Sequence, residues 1–409
     1  MSQDEKILRD LAVQYREAAF TDSNDEKIKL HKSVIDLHMI RPIILIDELP
    51  WHELNTEGEL TLQCTDPYLR EVESYMRQML YRFRHIPADM VLPKEIKVSK
   101  VIHTTGMGLD IKEETLASNI HNNIVSHRFI DQMADESCLE KIHNETITYD
   151  EEESMRRYEM VANILGDILP VRLVGSPWLF DTLWDDVAKL HGVENIMLDL
   201  IERPDYMHAV ARRLTDVFLD KVRQYEELNL LEGRQDSVHC TAAYTDELPS
   251  AQCDDTRYLA KDVWGRGAAQ VFVSVSAAMR EEFEIPYMCE AMEPFGLVYY
   301  GCCEPLHNQI DIVSKIPHLR KITVTPWAKY DIAAEQIGKK YVVSAKANPA
   351  NIAMGKVNEE VLRKELKMIT DACYRNQCSF ELVLKDVSTV SYHPENLKIW
   401  ERIAREFVS

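Results

Sequence analysis

Leu297-Val-Tyr-Tyr-Gly-Cys-Cys-Glu-Pro-Leu-His307 is an apolar run that stops abruptly in two thiols, a carboxylate and an imidazole. Aromatic and β-branched residues at 298–300 favour a strand, and Gly301 and Pro305 end it. Cys302, Cys303, Glu304 and His307 therefore fall at or beyond a strand's C-terminal end, where parallel α/β proteins carry their active sites.

Working outward, comparable apolar runs recur at Val171–Val174, Ile196–Leu200, Ser237–Cys240, Val271–Val275, Ile322–Val324, Tyr341–Ser344 and Glu381–Leu384. Segments of helical periodicity separate most of them. The clearest are 205–228, where Met207, Val210, Leu214, Phe218, Val222 and Tyr225 share one face, and 359–374. Alternation of this kind predicts a parallel sheet covered by helices, and eight repeats favour closure into an α/β fold of the (β/α)8 TIM-barrel type. Residues 166–409 are the expected barrel. Residues 1–165 are the expected N-terminal, largely helical extension, making one compact unit with it. That extension begins with a polar, helix-compatible segment and has a strand ending in Asp47 and Glu48, a helix over 66–85, a strand over 96–103 and a charged, mostly helical lid over 105–165.

Composition narrows the function. Among 409 residues, 45% hydrophobic and 28% charged is an ordinary globular balance. No apolar run approaches the roughly 20 residues that cross a bilayer, and no apolar run follows a basic start, so a cytoplasmic protein is expected. The 9 cysteines are scattered without a paired C-x-x-C pattern, which suits a reducing compartment. A net charge of -21 argues against unaided binding to nucleic acid or to an anionic membrane. The chain has no glycine-rich dinucleotide or phosphate motif.

If the strands are parallel, their C-terminal ends converge on Asp47 and Glu48, His103, Ser176 and Trp178, His239 and Cys240, Ser276, Cys303 and Glu304, Trp327, Lys346, and Lys385 and Asp386. Thiolate, carboxylate and imidazole are zinc ligands, so Cys303, Glu304 and His239 form a candidate metal group. Unless the strand has already ended, alternation turns one of two adjacent cysteines away from the site, which assigns one of the pair a structural role. Each residue also has a plainer use. Free cysteines are commonly buried as small apolar residues, His239 can serve as a hydrogen-bonded packing residue, and Lys385 can pair with Asp386 at the rim. Asp47 and Glu48 can cap a helix after Pro50, and Tyr244-Thr-Asp-Glu-Leu-Pro249 can open another.

With these strings in view, the chain resembles the uroporphyrinogen decarboxylase superfamily, in its corrinoid-dependent methyltransferase-like branch. The resemblance rests on Tyr300-Gly-Cys-Cys-Glu-Pro-Leu-His307, Tyr244-Thr-Asp-Glu-Leu-Pro249, Val324-Thr-Pro-Trp327 and Leu384-Lys-Asp-Val-Ser-Thr389, and it covers most of the chain beyond residue 40. It implies a barrel with an N-terminal extension and an active site at the barrel's C-terminal mouth. Zinc methyltransferases of this group carry His-x-Cys on one strand and a cysteine on the last. Here Cys303 matches the first cysteine, Gly301 stands for the histidine, and Lys385 and Asp386 occupy the place of the second cysteine. That implies a more oxygen-rich zinc site, built from Cys303, Glu304, His239 or Asp386. The arginine-rich loop that grips uroporphyrinogen is replaced by Arg41-Pro42 followed by the acidic Asp47 and Glu48, which lowers the decarboxylase expectation.

The resulting expectation is a methyltransferase moving a methyl group from a small donor, such as a methoxylated aromatic, to the cobalt of a partner corrinoid protein. Its catalytic groups would be His239, Glu304, Lys385 and Asp386. Asp47, Glu48, Trp178, Tyr244, Trp327 and Lys346 would line the substrate, and zinc would be the metal. A lyase acting on a smaller carboxylated substrate and a catalytically silent binding subunit are the alternatives, and a homodimer is left open.

Overall fold

The computed structural model describes all residues except 118–124, 252, 254, 255 and 409. Strands β1 (Ile43–Ile46), β2 (Ile96–Ser99), β3 (Val171–Val174), β4 (Trp178–Asp181), β5 (Trp264–Gly267), β6 (Leu297–Tyr300), β7 (Leu319–Val324), β8 (Val342–Ala347) and β9 (Ser379–Leu384) form the frame. Seven of them make one parallel sheet in the order β1-β9-β8-β7-β6-β5-β4, and β2 pairs in parallel with β3. β3 and β4 are two halves of one bent strand, so the sheet curls through eight strand positions into a TIM-barrel-like α/β fold. β1 and β2 share no ladder among the described residues, which leaves a seam in the wall.

The bend between β3 and β4 has a steric cause. Leu230–Glu232 runs alongside in parallel there, with Ser176 N donating to Leu230 O at 2.6 Å and Glu232 N donating to Ser176 O at 2.9 Å. A Cβ on Gly175 would meet Leu230 O at 2.2 Å, so only glycine lets the segment approach.

Inside and outside follow the two-residue period of the strands. Ile44, Ile46, Val298, Tyr300, Ile322, Val343, Phe380 and Leu382 pack outward in the large core under the covering helices. Those helices include Pro204–Glu227 and Glu359–Arg375, where the periodicity predicts them. Ile43, Leu45, Trp264, Tyr299, Val342 and Val383 point inward and are filled by Val238, Ala242 and Ala243.

Three expected strands are not strands of the barrel wall. Ile196–Leu200 lies in the helix Val193–Glu202, whose outer side chains are apolar too, so a helix reads as a continuous run. Val271–Val275 falls on a short 3-10 turn, and the true strand precedes it as Trp264-Gly-Arg-Gly267, whose two glycines hide it. Ser237–Cys240 contributes a two-residue hairpin, Ser237–Val238 against Thr241–Ala242, that plugs the barrel interior. Of the expected helical lid over 105–165, the part beyond 150 is helical and the part before it carries antiparallel pairs, Val101–Thr104 with Ile147–Asp150 and Glu113–Ala117 with Val125–Phe129. They lead into the helix Glu151–Leu165. Residues 118–124 of that stretch lie outside the described residues. Among the described residues no helix is long and apolar enough to cross a membrane.

The plug is held by charge. Lys321 Nζ lies 3.3 Å from Glu381 Oε1, with both side chains wholly buried. Lys321 also donates to Thr241 Oγ1 at 3.1 Å and to the Ala242 carbonyl, while Glu381 accepts from Ala242 N at 3.2 Å and from Ser344 Oγ at 2.5 Å. Burial lowers the Lys321 ammonium to about 8, with Glu381 pulling it back. Removing one member of a buried pair strands the other charge, at about 3–5 kcal/mol. Glu381→Leu should therefore lower the urea unfolding midpoint sharply, whereas Glu381→Leu with Lys321→Met should recover most of the loss; equal midpoints for the single and double variants would remove the pair from this role.

Candidate active site at the barrel mouth

Four segments deliver polar side chains to the C-terminal end of the barrel: the end of β1, the plug hairpin, the end of β6 and the end of β9. Each turns through a left-handed backbone. Glu48 has φ 51°, His239 φ 54°, Asp386 φ 55° and Gly301 φ 95°. Non-glycine residues in this region cost of order 1–3 kcal/mol and persist only where their surroundings enforce them. Three of them in one cluster mark it as a built site.

Lys385 is its centre. Its side chain is 5% exposed, and Nζ lies 2.9 Å from Asp386 Oδ2, 3.6 Å from Glu48 Oε2 and 3.9 Å from Cys302 Sγ. Burial opposes its charge, but the nearby thiols and Asp386 outweigh that and hold its pKa high. Glu48 also lies 3.4 Å from His239 Nδ1 and accepts from Asp386 N at 3.2 Å. Burial and the hydrogen bond to Asp386 raise the Glu48 carboxyl, whereas burial of Asp386 is offset by bonds to Glu48 and Lys385, which lower it. Asp386 has the shorter contact with the ammonium.

Cys302 and Cys303 converge, contrary to the expectation from strand alternation. The strand has ended at Tyr300, and Gly301 at φ 95° reverses the chain, so the two sulfurs lie 3.7 Å apart and both line the mouth. Cys302 is the buried member and Cys303 the exposed one. The Cys303 thiol, opposed by burial and helped by His239, Lys385 and Arg266, holds the Cys302 pKa well below that of an ordinary thiol; Cys303 is raised as the proton-bearing partner. Arg266, invisible as a site residue in a glycine-flanked strand, sits wholly buried 4.1 Å from the Phe180 ring centroid and donates to Gly301 O at 3.3 Å.

A possible metal group in the structure shares only His239 with the expected one. Glu304 accepts from Cys302 N at 2.9 Å and from Ala269 N at 3.4 Å, so its buried carboxylate shapes the loop. Cys303 stays at the rim. His239 is brought instead to Glu48 and Cys240, whose ligand atoms and its own lie within 4.8 Å of one another. One oxygen, one nitrogen and one sulfur match a catalytic zinc set of three protein ligands. Cys240 contacts Lys346 Nζ at 3.8 Å, and that lysine also donates to Ser344 Oγ at 2.9 Å. Each lysine thus keeps another partner if a cation takes the Cys240 thiol and the Glu48 carboxylate, and the donors fit the metal.

The remaining expected residues divide between two cavities. A mouth cavity of about 380 Å³ is lined by Cys302, Cys303, Trp327, Lys346, Lys385 and Asp386, with Trp327 at its open rim. Asp47 and Tyr244 line a different cavity, of about 440 Å³, at the seam. Trp178, on β4, packs 6.5 Å from the His239 ring.

No family model and no curated protein matches this sequence. Among solved structures the chain is similar to a methyltransferase from Methanosarcina mazei, at 10% identity and a TM-score of 0.46, over 92% of this chain and 97% of that one.

The backbone strain at His239 is directly measurable. At φ 54° alanine is as strained as histidine while glycine is not. His239→Gly should be more stable than His239→Ala by about 1 kcal/mol, read from denaturant midpoints; the reverse order would show that the left-handed turn carries no strain.

Proposed function

We propose that the protein is a methyltransferase whose mouth cavity takes a small methylated donor, such as a methoxylated aromatic, and passes the methyl group to the cobalt of a partner corrinoid protein. The observation that carries this reading is the grouping of Glu48, His239 and Cys240, with Glu48 and Cys240 in contact with Lys385 and Lys346, two lysines that line the mouth cavity. The sequence resemblance to corrinoid-dependent methyltransferases agrees with it.

Reduced cobalt is already a strong nucleophile, so the enzyme's work is on the leaving group. As the new bond to the methyl carbon forms, the carbon–oxygen bond breaks and its electron pair goes to the oxygen. Lys385 lines the cavity and its ammonium would meet that developing charge, while Asp386 at 2.9 Å holds the ammonium in place. Trp327 gives an aromatic wall, and its exposure, 68%, leaves the mouth open to a docking corrinoid domain. Glu48, His239 and Cys240 would hold zinc, which when bound supplies a Lewis acid that polarises the donor oxygen.

The test combines 2-methoxyphenol, cob(I)alamin and the purified protein, following loss of the cob(I)alamin absorbance and bound zinc. The reading predicts methylcobalamin formation, loss of zinc in Cys240→Ser, and a rate in Asp386→Asn lower by about 10²-fold at unchanged fold. Carbon dioxide release from a carboxylated aromatic without cobalamin methylation would replace it with a lyase that uses Lys346 and Lys385 as carboxylate anchors.

A further inference from the structure

Cys302 and Cys303 are the chain's one adjacent pair of cysteines, both line the mouth cavity of about 380 Å³, and their sulfurs lie 3.7 Å apart. Cys303 is the one exposed cysteine of the chain. The loop that carries the pair is held in place from behind. Gly301 O accepts from Arg266 Nη2 at 3.3 Å and from Thr323 Oγ1 at 3.1 Å, and Cys302 N donates to the buried Glu304 carboxylate at 2.9 Å. A Cβ on Gly301 would press on Leu306 Cδ1 at 2.9 Å, and its φ of 95° favours glycine.

The pair completes neither of the usual arrangements of thiols. Consecutive Cα atoms across a trans peptide are about 3.8 Å apart, less than the roughly 4.4–6.8 Å that an unstrained disulfide spans. Zinc takes three or four protein ligands, and among the described residues only Glu48, His239 and Cys240 form a group of three. What the pair offers is two sulfurs at the spacing of a chelate. One atom bonded to both at about 2.3 Å, with an angle of about 100–109°, sets them about 3.5–3.8 Å apart. The centre that fits is soft, takes two protein sulfurs and brings its own third substituent. Pro326, Trp327, Pro349 and Ala350 on the cavity wall suit an apolar substituent.

We propose that Cys302 and Cys303 together form a chelating site for a monosubstituted trivalent arsenical, whose organic group lies in the mouth cavity beside Trp327. An organic arsenic(III) oxide forms one arsenic–sulfur bond to each cysteine; its arsenic–oxygen double bond breaks, and the oxygen leaves as water with the two thiol protons. Arsenic stays trivalent, and nothing is oxidised or reduced. Lys385 Nζ lies 3.9 Å from Cys302 Sγ and 3.6 Å from Glu48 Oε2, so the site adjoins the proposed zinc group without sharing a ligand with it. It needs neither zinc nor methyl transfer.

Phenylarsine oxide and intact-mass spectrometry of the full-length protein test it. One phenylarsenic group per chain should replace two protons, survive excess glutathione and leave on addition of dimercaptopropanol. Cys302→Ser and Cys303→Ser should each bind about 10²-fold more weakly, because the second bond of a chelate forms within one complex. Cys240→Ser, which removes the thiol of the proposed zinc group, should keep the adduct. Circular dichroism identifies a variant that fails to fold; in that case Cys303→Ser, at an exposed position, decides alone. Full binding in Cys303→Ser would place the arsenic on other thiols and overturn the assignment. Loss of the adduct in Cys240→Ser, or no adduct on the unaltered protein, would overturn it equally.

Discussion

Three ammonium groups on adjacent strands, Lys321 on β7, Lys346 on β8 and Lys385 just beyond β9, point into the barrel and are buried there. Taking an ion out of water costs several kcal/mol even after relaxation, so each must be given acceptors. Lys321 has Glu381 and the plug carbonyl. Lys346 has Ser344 and Cys240, and Lys385 has Asp386, Glu48 and Cys302. The column therefore dictates where thiols and carboxylates stand from the plug to the rim. It explains why the interior of this barrel is polar along the β7–β9 side while Trp264 and Tyr299, on β5 and β6, fill the side facing it.

The column also explains the strained rim. Glu48 and Asp386 flank Lys385 from two strand ends, and the plug brings His239 to Glu48, each through a left-handed residue. No regular strand end would turn these side chains inward together. The cost of the conformations is offset by the charge they satisfy, and the product is a compact set of donors around a cavity floor. The vicinal thiols arise the same way, because Gly301 abandons the strand before Cys302.

Much of this was legible in the residues. Strands β6 to β9, the β1 run and the long helices follow plain periodicity, and the polar strand ends converge as parallel topology requires. Of the site residues, His239, Glu48, Lys385, Asp386, Lys346 and Trp327 do meet at or beside the mouth. What escaped was set by contacts far apart in sequence. The plug reads as an ordinary strand because Val238 is buried either way. β5 is hidden because Gly265 and Gly267 carry no apolar signal, and with it Arg266. Cys302 and Cys303 were assigned opposite faces because alternation assumes the strand continues. Glu304 looks like a ligand in sequence, but only the fold reveals the Cys302 and Ala269 amides that occupy it.

In the proposed metal site, the lysine column gathers one carboxylate, one imidazole and one thiol. X-ray absorption at the zinc edge of zinc-loaded protein reads that ligand set directly. A first shell with one sulfur at about 2.3 Å and the remainder nitrogen or oxygen at about 2.0–2.2 Å is expected for Cys240, His239 and Glu48. A shell of two sulfurs would put the metal on Cys302 and Cys303 and contradict it.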